Sequence, residues 1–114
     1  MRPRDVRVYL FDIKRSAEAI GQFVRGKSLE DYLADLMLRS AVERQFEIIG
    51  EALSQACAAE PRLGEEIREA RAIVGFRNRV IHGYADADDE IVWENIARLP
   101  SLLADVERAL VTRS

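Results

Sequence analysis

Residues 38–56, LRSAVERQFEIIGEALSQA, decide the fold. Apolar side chains fall at Leu38, Ala41, Val42, Phe46, Ile49, Ala52, Leu53 and Ala56. Their three- and four-residue intervals put them on one face of an α-helix and the charged residues on the other. The pattern extends back to Leu29 and forward to Ala59, with a break expected near Asp35. Gly50 falls inside it. An interior glycine costs ~1 kcal/mol relative to alanine, so its presence predicts the close approach of another helix at that point.

The same periodicity organises the flanks. Val6, Leu10, Ile13, Ala17, Ile20 and Val24 predict a first helix over residues 4–25, with Gly26 as its stop and Ser28 followed by Asp31 as the next start signal. Pro61 is expected to end the central region and to open a third helix at its first turn. That helix is read over Glu65 to Ile81 and leads into His82-Gly83-Tyr84, where Gly83 suits a left-handed stop. The acidic run ADADDE, residues 85–90, precedes a last helix over Ile91 to Val111, where it complements the positive end of the helix dipole. Asp86, Asp88, Asp89 and Glu90 are therefore read as helix-start charges. Pro100 is expected to break or kink this helix and Ser101 to restart it. There is no strand pattern of useful length, no repeat and no linker. The expectation is one all-α domain over residues 1–114, an antiparallel bundle of four to five helices.

Composition narrows the function. The chain has 114 residues, enough for one core without staples. Hydrophobic residues make up 48% and charged residues 32%, which excludes a disordered chain. The net charge of −3 argues against a coat-like nucleic-acid binder but allows an enzyme with a local basic site. The single cysteine, Cys57, reads as a small buried or half-buried side chain and suits a reducing compartment. The amino-terminal MRPRDVRVYLFDIKRS has no secretory apolar stretch, and no run approaches the ~20 apolar residues of a membrane span. A cytoplasmic, soluble protein without membrane association is expected.

The segment that carries chemistry is GFRNRVIHGY, residues 75–84. At ~100° per residue, Ile73, Phe76 and Val80 form one apolar stripe and Val74 and Ile81 a second. Arg77 lies between them. A guanidinium in such a setting must reach water, a carboxylate or a ligand. Two stripes suggest packing against two surfaces, the chain's own bundle and a second subunit, with Arg77 at the seam. His82, the only histidine, has the ordinary pKa of a proton shuttle. RNA brings its own nucleophile, the 2′-hydroxyl, so a base and a phosphate-gripping cation suffice to cut it, and neither a metal nor another cofactor is required. Arg77 and His82 are five apart, ~140° on a regular helix, and would converge only across a two-fold dimer. Asn78 shares a face with His82 and is placed to orient the imidazole or to bind a phosphate oxygen. Arg79 suits a phosphate-steering contact. The same residues also read as an ordinary helix ending, with His82 favoured by the dipole and Tyr84 packing its ring after the stop. Trp93 reads as a core anchor of the last helix.

FRNRVIHGY resembles the signature of the HEPN ribonucleases, an Arg followed by a polar residue, three more residues and a His, and its Gly-Tyr extension is similar to the HepT branch. VERQFEIIGEAL at 42–53 resembles that branch's second core helix, and DDEIVWENIARLPSLLADVE at 88–107 its last helices. The resemblance covers nearly the whole chain. It implies an all-helical homodimer with a composite cleft, catalysis by Arg77 and His82 with Asn78 in support, and metal-independent cutting of RNA. It further implies the toxin half of a toxin–antitoxin pair, whose partner is a nucleotidyltransferase of the MNT type that transfers AMP from ATP to Tyr84. Family members often carry a Trp shortly before the motif, and residues 70–74 contain none. The alternative is a non-catalytic helical binding partner of a nucleotidyltransferase. The intact Arg77, Asn78, His82 and Tyr84 set favours the enzyme.

Overall fold

A computed structural model describes residues 5–81 and 88–114, without the side chains at 78–81 and 88. Seven helices occur among the described residues: α1 (Val6–Phe23), α2 (Leu29–Ala34), α3 (Leu36–Ala59), α4 (Leu63–Glu66), α5 (Ala70–Ile81), α6 (Asp88–Ile96) and α7 (Leu99–Arg113). The fold is all-α. Four helices of 12 residues or more, α1, α3, α5 and α7, make the bundle, and the shorter ones turn its corners.

The central pattern is the inner face of α3. Leu38, Val42, Phe46, Ile49, Ala52, Leu53 and Ala56 are all buried there. Leu10, Ile13, Ala17 and Ile20 of α1 meet them, and Leu99, Leu102, Val106 and Ala109 of α7 complete the layer. Each fully buried side chain of this kind contributes about 1.5–3 kcal/mol relative to exposure. The starts are fixed locally. The Asp5 carboxylate accepts from the Arg7 N–H at 2.9 Å. Ser28 and Asp31 form a reciprocal box, with Ser28 Oγ accepting from Asp31 N at 3.1 Å and the Asp31 carboxylate from Ser28 N at 2.9 Å. The break near Asp35 falls at Asp35 itself, whose carboxylate caps α3 by accepting from Leu38 N at 3.1 Å. Gly26 follows α1 at φ +73°, a conformation a side chain rarely adopts. Trp93 packs partly buried against buried Tyr32, ring centroids 5.3 Å apart.

Besides small shifts at helix ends, among them the start of α6 at Asp88 instead of Ile91, three boundaries differ from the sequence expectation. Pro61 does not open the next helix. It precedes Arg62, the residue that caps α4. The single helix expected over Glu65–Ile81 is two, because the chain turns at 67–69. There Ile67 is extended and buried, and the Arg68 N–H donates to the Asp105 carboxylate of α7 at 3.1 Å. A carboxylate 37 residues away takes the place of an intrahelical partner, which no local pattern records. Ser101 does not restart the last helix. Arg98 caps α7, Pro100 lies in its first turn, and Ser101 Oγ instead accepts from Arg68 Nη2 at 3.4 Å. The far end of α7 is tied down by Arg113, which donates to Glu60 and Glu66 together.

Candidate active site

The glycine in α3 and the arginine in α5 explain each other. A Cβ built on Gly50 would lie 2.7 Å from Arg77 Cγ, 2.8 Å from its Cβ and 2.9 Å from its Cδ. The Arg77 stem therefore rests directly on the α3 backbone, in space only glycine leaves open. Phe76, the neighbouring residue, sits edge-on to Phe46 of α3 with centroids 5.0 Å apart, and Ile73 is fully buried one turn earlier. These contacts fix the rotation of α5 and so the direction of Arg77.

The guanidinium emerges at the edge of a groove of about 610 Å³ between α1, α3 and α5, whose walls include Tyr9, Asp12, Arg44, Glu47 and Glu51. Arg77 Nη2 donates to Glu51 Oε2 at 3.0 Å. The other carboxylate oxygen of Glu51 accepts from Gln55 Nε2 at 3.0 Å. Arg77 is 23% exposed and Glu51 53%. Of the water, carboxylate or ligand expected for Arg77, the structure supplies a carboxylate, Glu51, a residue not singled out beforehand. Its only local signal is its place next to Gly50, since a pairing 26 residues apart leaves no periodic trace. The side chains of Asn78 and Arg79, and all of His82, Gly83, Tyr84 and Asp86, lie outside the described residues.

A second polar group sits where α6 meets α3. Arg39 Nε lies 3.5 Å from the Asp89 carboxylate. Asp89 is therefore an ion-pair partner as well as a helix-start charge. Burial pushes the Glu43 carboxyl above its usual range, and the Asp89 carboxylate beside it adds to the shift. Burial likewise raises the Tyr32 hydroxyl. Cys57 is half-buried as expected, with its thiol raised by the same cause.

An arginine packed at the rim of an open groove, five residues ahead of a histidine in the sequence, is equipment for binding and polarising a phosphate. The family model described as "Ribonuclease HepT-like" matches residues 13–109, a span that includes Gly50, Arg77, Asn78, His82 and Tyr84. The chain belongs to the HepT-like ribonuclease family. A protein of Thermococcus cleftensis named probable ribonuclease HepT is 36% identical over 101 residues, covering 88% of this chain and 91% of the relative. Two further relatives carry provisional RNase names. One, from Methanocaldococcus jannaschii, is 31% identical over 94% of this chain and 98% of its own length. The other, from Caldanaerobacter subterraneus, is 34% identical over 91% and 93%. No solved structure gives a significant match. In this HepT-like chain no helix among the described residues is long and apolar enough to cross a membrane. The described residues also contain no group of three or more His, Cys, Asp or Glu side chains placed to hold a metal.

Proposed function

We propose that this chain is a metal-independent RNA endonuclease that works as a homodimer and serves as the toxin of a toxin–antitoxin pair. The observation that supports the reading is the seating of Arg77, an arginine packed on Gly50 and lining an open groove in a chain of the HepT-like family. Four groups divide the work. His82 removes the proton from the RNA 2′-hydroxyl, whose oxygen attacks the adjacent phosphorus. Arg77 donates to the non-bridging oxygens and stabilises the charge that builds on them. The P–O5′ bond breaks, and the imidazolium returns its proton to the departing 5′ oxygen. The products are a 2′,3′-cyclic phosphate and a free 5′-hydroxyl. Asn78 orients the imidazole, and Arg79 contacts a flanking phosphate. The ~140° that a regular helix would put between Arg77 and His82 is resolved by two copies of the chain facing each other across a two-fold axis.

Control is assigned to Tyr84, two residues past His82. Its hydroxyl attacks the α-phosphorus of ATP in a partner nucleotidyltransferase of the MNT type, and pyrophosphate leaves. The added phosphate repels the RNA backbone and closes the cleft. The deciding experiment incubates purified protein with total RNA, wild type beside Arg77→Ala and His82→Ala. Cleavage by wild type and its loss in both variants is expected. Equal cleavage by all three would remove the nuclease assignment.

A further inference from the structure

Arg77 and Glu51 together define how a phosphate must enter. The arginine stem is packed against Gly50, so the guanidinium cannot cross α3 to escape its carboxylate. Glu51 is the more exposed of the two and lines the groove. Its second oxygen is held by Gln55 from one turn further along α3, which gives the carboxylate somewhere to remain when the first bond breaks. An ion pair open to water on one side is a weak one, whereas a phosphodiester offers an arginine two parallel bonds. We propose that Glu51 is an exchangeable anion for Arg77. It holds the guanidinium in the unloaded protein and is displaced by a phosphodiester oxygen when RNA binds. The proposal rests on the reading of Arg77 as a phosphate ligand. Glu51 is a positioning residue in this scheme, and it subtracts from RNA affinity instead of adding to it.

The test measures binding of a fluorescent 2′-O-methyl oligoribonucleotide, which lacks the attacking hydroxyl and so is not cut, by anisotropy at low salt. Glu51→Gln is compared with Glu18→Gln, which removes one exposed negative charge from a different helix, α1. Glu51→Gln should lower Kd two- to fivefold, the range that corresponds to an exposed pair of up to about 1 kcal/mol. Glu51→Ala should move Kd the same way. Glu18→Gln should change it by much less, and the gain should vanish when Arg77→Ala is added. On cleavable RNA, KM falls in Glu51→Gln. Weaker or unchanged binding by both Glu51 variants, or an equal gain in Glu18→Gln, overturns the exchange. If wild type still cuts RNA in an Arg77-dependent way, the nuclease reading survives that result. If Arg77→Ala cuts as fast as wild type, both fall together.

Discussion

Replacing Gly50 with alanine isolates the contact on which the site is built. In an unobstructed helix interior the change stabilises, by up to ~1 kcal/mol, because alanine gives up less backbone freedom on folding. Gly75 of α5 provides that reference, since a Cβ there meets nothing within 4 Å. At Gly50 the new methyl would lie 2.7–2.9 Å from three carbons of Arg77. Ordinary carbon contacts lie near ~3.5–4.0 Å, so about 1 Å must be found. The obstructing atoms are the root of the side chain, and they move only if α5 shifts or Arg77 changes rotamer. Overpacking of this kind costs about 1–3 kcal/mol. Set against the propensity gain of ~1 kcal/mol, the net is a loss of roughly 0–2 kcal/mol. Thermal unfolding should therefore show a drop of up to about 8 °C for Gly50→Ala and a small rise for Gly75→Ala. Activity should respond more than stability. If Arg77 holds the reacting phosphate as proposed, a displacement near 1 Å can cost ~100-fold. RNA cleavage by folded Gly50→Ala protein should fall by roughly 10- to 100-fold. A Gly50→Ala protein that is both more stable than wild type and fully active would refute the argument.

Asp105 is buried at 1% exposure and accepts from the Arg68 backbone, the Arg68 side chain and Arg108. Burial opposes its ionisation, but the hydrogen bonds from Arg68 and then Arg108 outweigh it and hold the carboxyl below its usual range. A lowered folded-state value means stability that is present above the unfolded carboxylate pKa of ~3.9 and lost as pH falls through the folded value. Asp105→Asn should cost about 1–3 kcal/mol at neutral pH in urea unfolding, and the gap from wild type should narrow near pH 3; a gap independent of pH would contradict this account. Cleavage of RNA should persist in EDTA, and loss of activity on chelation would point to a metal enzyme. Coexpression with a nucleotidyltransferase of the MNT type should add AMP to the peptide containing Tyr84, seen by mass spectrometry, and an unmodified peptide would remove the proposed control.

Much of the bundle could be read directly from spacing. The inner faces of α1 and α3 follow from three- and four-residue intervals because a helix repeats every ~3.6 residues. Seven of the eight positions expected to line α3 are buried, and Ala41 is half-buried. The start at Ser28 and the break near Asp35 were equally legible, since a cap bonds backbone two or three residues away. The close approach at Gly50 was readable as a fact but not as an identity. Which side chain filled the space depended on how α5 lies against α3.

The sequence by itself determined the helices, their buried faces, the glycine where two of them touch and the Arg77–His82 motif, all of which are written within a few residues of one another. Only the tertiary structure decided that Arg77 meets Glu51 and that Arg68 and Asp105 split one expected helix into α4 and α5. The reason is range. Helical periodicity and capping act over one turn, while these pairings join residues 26 and 37 positions apart, and their partners become neighbours only after the helices have packed.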